Sequence, residues 1–517
     1  MAIRGQGGTV GHGYLRSEAL ISVSRISLTF EPDRPSPRQR LEALCDPGSV
    51  EPLEPATIDD NVRVGVQGAW GRVAGRQIVC YAQDSSIAAG SVGVPEAEVI
   101  VRALRHSRAA QVPLIGFLES SGARLQEGAA ALAGFGRIFF ENVALSGRSP
   151  QISVITGVSA GGACYSPALT DFVVMTEKAA MFLTGPRIVK RALGEDVSAS
   201  DLGGGHVHSR NGVCDFYAAD DSGGVRLLRE LLGYLPQNGD AAAPALEPRD
   251  PAAGDPAEVL PATSRQHYDV RDLIARLVDG GCFLEVSERW ARNMVVGFAR
   301  LEGQTLAIVA NQARYRGGII DVQASQKGTK FIRTCDALGI PMLVVADTPG
   351  FMPGSREEAA GMIGHGAELL RAFAAATCPR VTVIVRKAFG GAFITMNSKD
   401  LGADASFCWP NAEIGIMSAE AAVEIMHGRQ LKGPGSEELR ERLARRYARD
   451  NLSADAAVAC GAVDAVVDPG DTRAQVAGAL RLAADEGRNA RWTPGAPRVA
   501  ARSGGAPLAA AGAGAEE

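Results

Sequence analysis

The feature of this sequence that most constrains its fold is a repeat within the chain. PLIGFLESSG at position 113 resembles PMLVVADTPG at position 341. PQISVIT at 150 resembles PRVTVIV at 379, and GGACYSPALTD at 161 resembles GGAFITMNSKD at 390. The separation between the two copies is the same to within one residue in all three pairs of segments. A separation that stays this constant indicates a duplicated domain.

Within the repeated region, short apolar strands alternate with helical segments. A Gly-punctuated stretch that begins at residue 64 has the alternating pattern of β-hairpins. PEAEVIVRALRHSRAAQ then predicts a helix, PLIGFLE a strand, the Ala-rich segment through Phe140 a helix, and PQISVIT a strand. This order predicts an α/β fold in which at least some strands are parallel.

Composition along the chain predicts where the two domains begin and end. Residues 1–36 are Gly- and turn-rich and are predicted to be irregular, and residues 236–263 are rich in Pro, Ala and Asp without periodicity, as interdomain linkers are. Residues 493–517 are of low complexity and are predicted to be disordered. The two domains are therefore predicted to span residues 37–235 and 264–492.

The overall composition excludes several classes of protein. Of 517 residues, 46% are hydrophobic and 21% charged, as in globular proteins, and 53 Lys and Arg against 58 Asp and Glu disfavour nucleic acid as the main partner. No apolar run reaches the roughly 20 residues that span a bilayer, and no signal-like segment opens the sequence. The nine cysteines form no Cys-x-x-Cys pair, which fits reduced thiols and predicts a cytoplasmic protein.

The repeated Gly-Gly-Ala sequence is the candidate for chemistry. In each half an apolar strand runs into Gly-Gly-Ala, beginning at Gly161 and Gly390, and a helical segment follows. Glycine allows a tight turn, and the first N–H groups of a helix have no partner inside the helix. Such a turn can stabilise an oxyanion, although it can also serve only to pack a helix closely on a strand.

A second class of enzyme is suggested by Gly-Val-Ser-Ala-Gly at residues 157–161. This sequence matches the G-x-S-x-G turn of serine hydrolases, in which Ser159 would be the nucleophile. The other half has Ala388 at the matching place and keeps its glycines, which argues that Ser159 is structural.

Other motifs have simpler interpretations. His206 and His208 have no third metal ligand nearby in the sequence and are predicted on a surface loop. Asp347-Thr348-Pro349-Gly350 imitates a GTPase motif, but the chain has no phosphate-binding G-x-x-x-x-G-K-[ST] loop. One helical face carries three cations, Lys327, Lys330 and Arg333. They are predicted to face solvent, and the alternative is that they bind a phosphate-bearing ligand.

The longer motifs of the chain resemble a known family. They include GARLQEG, AGGACYSPALTDFVVM, KFIRTCDALGIP, DTPGFMPG, RKAFGGAFITMNSKDLGAD and WPNAEIGIM, within a resemblance that covers roughly residues 38–485. The chain resembles the carboxyltransferase (β) subunits of biotin-dependent acyl-CoA carboxylases of the propionyl-CoA carboxylase type. The same family includes subunits of acyl-CoA decarboxylases such as the methylmalonyl-CoA and glutaconyl-CoA enzymes.

This resemblance implies an architecture and a set of partners. It implies two crotonase-like domains, each a β-β-α superhelix, that assemble into hexamers. It also implies an active site shared by the first domain of one subunit and the second domain of another. The chain has no Met-Lys-Met biotinylation site, so the biotin carrier and the biotin carboxylase are expected on separate chains.

The resemblance also implies roles for particular residues. Gly161 and Gly162 would hold the carbonyl of the acyl-CoA thioester, and Gly391 and Ala392 would hold the ureido carbonyl of carboxybiotin. Biotin itself would serve as the base, so no protein nucleophile and no metal is expected. Five further residues are expected to bind the substrate: Gly122, Ala123, Arg124, Phe393 and Ile394.

Two positions bear on the substrate. Family members that act on propionyl groups tend to have Asp at the position of Ile394, so Ile394 suggests a longer or less common acyl group. Residues 364–368 read Gly-His-Gly-Ala-Glu, where the family usually carries two additional cations. The alternatives to a carboxylase subunit are a decarboxylase of malonyl-CoA-type esters and a non-catalytic subunit.

Overall fold

The computed structural model describes residues 35–53, 63–263, 266–432 and 435–490. Its strands form two eight-stranded sheets. The first sheet contains β1 (Glu51–Pro52), β2 (Val66–Val73), β3 (Arg76–Gln83), β4 (Leu114–Ser120), β5 (Gln151–Ala160), β6 (Phe172–Thr176), β7 (Ala180–Phe182) and β8 (Phe216–Ala218). The second contains β9 (Leu284–Val286), β10 (Met294–Leu301), β11 (Gln304–Asn311), β12 (Met342–Thr348), β13 (Arg380–Phe389), β14 (Ala405–Cys408), β15 (Glu413–Gly415) and β16 (Ala465–Val466).

The α-helices also divide between the halves. The first half contains α1 (Pro37–Leu44), α2 (Val94–Ala110), α3 (Ala129–Leu145), α4 (Tyr165–Ala168), α5 (Pro186–Leu193), α6 (Ala199–Gly203), α7 (Gly205–His208) and α8 (Asp221–Tyr234). The second contains α9 (Val270–Ala275), α10 (Val322–Ala337), α11 (Ser355–Ala359), α12 (Met362–Ala375), α13 (Gly390–Thr395), α14 (Ala419–His427), α15 (Ser436–Tyr447), α16 (Ala454–Ala459) and α17 (Thr472–Ala490).

The two sheets have the same topology, which confirms the predicted α/β fold and its duplication. The first sheet runs β1-β2-β3-β4-β5-β6-β8 with β7 beside β5, and the second runs β9-β10-β11-β12-β13-β14-β16 with β15 beside β13. In both sheets the first two neighbouring pairs are antiparallel and the others are parallel. The repeat extends to β2 and β10, because the interval between their first residues equals the interval between the first residues of β4 and β12.

A shared apolar core joins the halves. Phe298 of β10 is fully buried, and its ring lies 5.9 Å from that of Phe172 in β6 and 6.1 Å from that of Tyr234 in α8. The ring of Phe331 in α10 lies 5.2 Å away on the side of the second half. Aromatic pairs at these separations are favourable beyond the area they bury. The halves are therefore packed on each other rather than only connected.

The predicted linker and termini can be placed only in part. Within 236–263 the one helical element is a short 3-10 helix at Pro256–Val259. This segment runs along the second half, where the Leu246 N–H donates to the Gly303 carbonyl and Arg300 donates to the Pro244 carbonyl. Residues 1–34 and the predicted disordered tail 493–517 lie outside the described residues.

The loop before α2 depends on glycine, and this gives a stability prediction. Gly90 has φ +68°, and a Cβ there would overlap the carbonyl oxygen of Glu119 at the end of β4. Its counterpart Gly318 has φ +80°, and a Cβ there would overlap the carbonyl oxygen of Asp347 at the end of β12. Gly48 also has a positive φ, +72°, but a Cβ there meets nothing within 4 Å.

We expect Gly90→Ala to lower the thermal unfolding midpoint well beyond the effect of Gly48→Ala. The control carries only the backbone strain, about 1–2 kcal/mol, whereas Gly90→Ala must also displace β4 backbone. Thermal unfolding of the two purified variants measures the difference. Equal losses of stability would show that the loop is not held against β4 as described.

Candidate active site

The candidate site is built from two equivalent turns at the ends of β5 and β13. Each strand runs directly into a glycine in the left-handed region, Gly161 at φ +60° and Gly390 at φ +59°. A 3-10 helix follows at Gly161–Cys164, and α13 follows in the second half. A side chain at either position would be strained, so the turn requires glycine there.

The surroundings of the turns are also equivalent. A Cβ on Gly161 would lie 3.9 Å from the Leu183 carbonyl oxygen, just after β7, and one on Gly390 would lie 3.2 Å from the Ile416 carbonyl oxygen, just after β15. The next glycines each face one aromatic ring. A Cβ on Gly162 would lie 3.3 Å from Phe135, and one on Gly391 would lie 3.6 Å from Phe351.

Both turns present backbone donors to a ligand. The first N–H groups of a helix have no acceptor within the helix and lie at its positive end. Gly161 and Gly390 are equivalent, because each is the left-handed glycine of its turn. Gly162 and Ala163 are therefore the counterparts of Gly391 and Ala392. The pair predicted for the first turn, Gly161 and Gly162, therefore begins one residue earlier. Each turn can stabilise the oxygen of one carbonyl group as negative charge develops on it.

Large apolar side chains surround both turns and are exposed on the single chain. Beside the first turn, Leu183 is 57% exposed and Tyr165 51%; beside the second, Ile416 is 74% exposed and Ile394 47%. Apolar rims of this kind are typical of ligand-binding or subunit surfaces. Their exposure shows that the other half of the same chain does not cover either turn.

The loop after β4 borders the first turn. Gly122 has φ +101°, and a Cβ there would lie 2.9 Å from the Ala160 carbonyl oxygen. Ala123 forms a bridge with Val92. Of the residues predicted to bind substrate, Gly122 therefore lies beside the end of β5, and Ala123 is next to it in the chain.

Arg124, also predicted to bind substrate, is ion-paired within the chain. Its guanidinium contacts Glu96 at 2.7 Å and Glu127 at 3.2 Å. Burial would raise the pKa of Glu96, but Arg124 and the backbone N–H groups of Gly65 and Gly93 outweigh it and hold that pKa below its usual range. The cation of Arg124 is thus paired within the chain, where it fixes the loop.

Ser159 does not have the geometry of a nucleophile. It lies within β5, where it pairs with Ser120, rather than on a turn after the strand. Its side chain is completely buried, and its hydroxyl donates to the Ala163 carbonyl at 3.2 Å. Ala388 is at the matching place in β13, paired with Thr348. The geometry agrees with a structural role for Ser159.

The prediction of a solvated cationic face on α10 is wrong. Lys327 is 2% exposed and its Nζ donates to the Trp290 carbonyl at 3.0 Å, and Lys330 binds Asp215 of the first half at 2.7 Å. Burial lowers the pKa of Lys327 to about 8 and raises that of Glu285 nearby to about 7. Arg333 pairs with Glu368. All three cations of this face are thus bound within the chain, and Lys330 connects the two halves.

Two buried acids lie at the ends of equivalent strands, and of these the sequence motifs pointed only to Asp347, as part of the GTPase-like motif. Glu119 at the end of β4 pairs with Arg40 of α1 at 3.3 Å, and Asp347 at the end of β12 pairs with Arg386 of β13 at 2.9 Å. The interval between the two acids along the chain equals the interval between the strands that carry them. An acid at the same place in both repeats is the sequence signal that could have identified them.

The histidine pair packs within the first half. His206 and His208 lie in α7 rather than on a loop, and Nε2 of His208 lies 2.6 Å from the Met181 carbonyl oxygen. In the part of the chain that the structure describes, no group of three His, Cys, Asp or Glu is placed to hold a metal ion. No helix among the described residues is long and apolar enough to cross a membrane.

Comparison with known proteins assigns the family. The family model described as carboxyl transferase domain matches residues 31–495. The chain belongs to the carboxyl transferase family. It is 41% identical to the propionyl-CoA carboxylase beta chain of Saccharopolyspora erythraea over 87% of each chain. It is also 41% identical to the methylmalonyl-CoA decarboxylase subunit alpha of Veillonella parvula, over 82% of this chain and 83% of the relative.

A solved structure supports the same assignment. The transcarboxylase 12S crystal structure, described as a hexamer with methylmalonyl-coenzyme A and methylmalonic acid bound, superposes with a TM-score of 0.85 at 38% identity. The superposition covers 90% of this chain and 91% of the other. As a member of this family, the chain is an acyl-CoA carboxyltransferase that works with biotin, and its sheets are the two crotonase-like domains that the sequence predicts.

The position of Ser159 gives a prediction about the carboxyl transferase. We expect Ser159→Ala to keep carboxyltransferase activity and to lose about 1 kcal/mol of stability, because one buried hydrogen bond is removed. Turnover, thermal unfolding and labelling with a fluorophosphonate test this. Loss of activity in Ser159→Ala, or covalent labelling of Ser159 in the unmodified protein, would establish the hydrolase instead.

Proposed function

We propose that this protein transfers CO2 from carboxybiotin to the α-carbon of an acyl-CoA. Each of the two turns would hold one of the two reacting carbonyl groups. Gly161 and Gly162 would hold the thioester carbonyl, and Gly391 and Ala392 the ureido carbonyl of biotin. The observation that carries the proposal is the pair of equivalent glycine turns, each with backbone donors and an apolar rim. Two carbonyl groups gain negative charge in this reaction, which gives a reason for two such turns.

The residues of the second turn fit biotin. Neutral N–H donors suit the oxygen of an uncharged ureido ring, and the exposed Ile394 and Ile416 suit its apolar surface. Carboxybiotin supplies the CO2 and, after its release, the base that removes the α-proton. The protein's residues orient the two carbonyl groups, keep water away with their apolar rims and stabilise the developing charge.

We further propose that each active site is completed by a second copy of the chain. The rims of both turns are exposed on the single chain, which leaves each turn open to a second copy. The first turn of one subunit would therefore face the second turn of another. The transcarboxylase 12S structure is a hexamer, which supports such an assembly here.

The acyl group is proposed to be longer than propionyl. Ile394 lies in α13, two residues after Ala392, and its side chain is half exposed at the second turn. If the second turn of one subunit faces the first turn of another, Ile394 would contact the acyl group held there as well as biotin. An apolar side chain at this position favours binding of an acyl group with additional CH₂ groups, because both apolar surfaces are then removed from water.

Decarboxylation of a malonyl-CoA-type ester is the second candidate. The relative from Veillonella parvula, named as a decarboxylase subunit, is as similar in identity as the carboxylase beta chain. The segment 364–368 also has Glu368 where the family usually has a cation. Glu368 forms ion pairs with Arg333 and with Arg371, the latter at 3.4 Å.

One assay separates these candidates. The purified protein is given a biotin carboxylase with its carrier, ATP, labelled bicarbonate and acyl-CoAs of increasing length, and separately a methylmalonyl-CoA-type ester with free biotin. The proposal expects label in the acyl-CoA product and a preference for longer chains. CO2 release from the ester without labelling of any acyl-CoA would favour the decarboxylase, and neither reaction would favour a non-catalytic subunit.

Removing one N–H donor from each turn should cause different defects. Ala392→Pro should slow turnover by about 10²–10³ while acyl-CoA binding stays near normal, because the first turn is intact. Gly162→Pro should weaken acyl-CoA binding and leave free biotin binding unchanged. Calorimetric titration with each ligand, alongside turnover, measures this.

Matched controls keep the donor at each position. Gly162→Ala and Ala392→Gly retain the N–H, and size-exclusion chromatography verifies that every variant assembles like the unmodified protein. If both proline variants lose affinity for the same ligand to the same degree, the assignment of one carbonyl group to each turn is wrong.

A carboxylate at the acyl pocket should reverse the chain-length preference. In Ile394→Asp, longer acyl chains would desolvate the new charge at a cost of about 2 kcal/mol or more, so their kcat/KM should fall much more than that of propionyl-CoA. Ile394→Leu serves as the control and should change little. Equal losses for all chain lengths would show that Ile394 does not line the acyl pocket.

A further inference from the structure

The two halves differ in charge at one equivalent helix beside the candidate site. α5 begins three residues after Leu183 and α14 begins three residues after Ile416, so both helices follow the residue whose carbonyl lies against a glycine turn. α5 carries three cations and no acid, whereas α14 carries two acids and no Lys or Arg. The residues are Arg187, Lys190 and Arg191 on α5, and Glu420 and Glu424 on α14.

The cations of α5 share one face of an exposed helix. Arg187 and Arg191 are four residues apart and Lys190 is three residues from Arg187, which places all three side chains on the same side. No residue of α5 is buried. The apolar side chains of Ile188 and Leu193 on the same helix are also exposed, at 55% and 76%. A surface of this kind suits a ligand that has both apolar and anionic parts.

Two of the three cations are available to a ligand. Lys190 binds Asp196 at 2.8 Å, and Glu195 adjoins that acid just after the helix. Arg187 and Arg191 are exposed and form no ion pair among the described residues. On the matching helix, Glu424 pairs with Arg440 of α15 at 3.3 Å, so the acidic character of α14 is partly balanced.

The two ligands of the proposed reaction differ in charge in the same way. An acyl-CoA carries a diphosphate and a 3′-phosphate at the end of its long pantetheine arm, whereas the ureido ring of biotin is uncharged. From Leu183 to Arg187 the chain can extend at most about 14 Å, and Arg191 lies about 6 Å further along the helix. The two arginines thus lie within reach of the first turn but apart from it, as groups that bind the far end of a long thioester must.

We propose that Arg187 and Arg191 of α5 bind the phosphate groups of the acyl-CoA whose thioester occupies the first turn. This rests on the proposed function and deepens it, since the charge of the rim then assigns the CoA ester to the first half. Arginine suits the role because its planar guanidinium binds phosphate through two hydrogen bonds. Contacts to the phosphates that are equally strong in the bound substrate and in the transition state would lower KM without changing kcat.

The test uses a substrate that lacks the phosphates. In the double variant Arg187→Ala/Arg191→Ala, KM for the acyl-CoA should rise roughly tenfold or more, while kcat with acyl-CoA and all constants for the matching acyl-pantetheine stay unchanged. Raising the salt concentration should weaken acyl-CoA binding to the unmodified protein and have little effect on the double variant. Arg445→Ala/Arg446→Ala, which removes two exposed cations from α15, is the matched control and should behave like the unmodified protein.

Several outcomes would overturn the proposal. If the double variant binds acyl-CoA and acyl-pantetheine equally less well, or binds both as well as the unmodified protein does, α5 does not bind the phosphates. A higher KM for the biotin carrier alone would assign the helix to that protein, and a smaller assembly on size-exclusion chromatography would assign it to a subunit contact. If the unmodified protein carboxylates neither thioester, the proposed function fails by itself, and calorimetric titration with CoA still tests the two arginines.

Discussion

The site depends on one backbone conformation that occurs twice. At the end of a buried strand the chain enters the left-handed region at Gly161 and again at Gly390, and a helix begins at once. Only glycine adopts this conformation without strain. The first N–H groups of that helix have no acceptor within it, so the carbonyl oxygen of a ligand can accept from them. The proposed chemistry needs no reactive side chain, because backbone donors supply the stabilisation.

The halves must be held firmly if two such turns are to act on one reaction between subunits. The aromatic cluster around Phe298 supplies the apolar part of the junction, and Lys330 with Asp215 supplies a charged part. Asp215 also accepts hydrogen bonds from the Ser287 hydroxyl and from the Val173 N–H of β6, so one buried acid binds groups of both halves. Breaking such a pair from one side leaves an uncompensated buried charge, which is strongly destabilising. These contacts fix the orientation of the turns.

The sequence predicted the strands that carry the site because their apolar pattern and their glycines repeat together. It did not reveal that β2 and β10 belong to the same repeat, because their side chains have diverged while their backbone pairing has not. The face of α10 was misjudged for a different reason: periodicity shows which residues share a face, but the acid that covers Lys330 lies far away along the chain, in the other half. The ion pairs of Arg124 with Glu96 and Glu127 were likewise not visible in its motif, because Glu96 lies on another element, α2.

Mixing two impaired variants tests most directly whether each active site combines turns from two different subunits. Gly162→Pro and Ala392→Pro chains are produced separately and together, and the carboxyltransferase activity of the mixed assemblies is compared with that of each variant alone. If a site joins the first turn of one chain to the second turn of another, a mixed pair contains one site with both turns intact, and activity returns. Mixed assemblies no more active than the separate variants, at the same assembly size, would contradict the account.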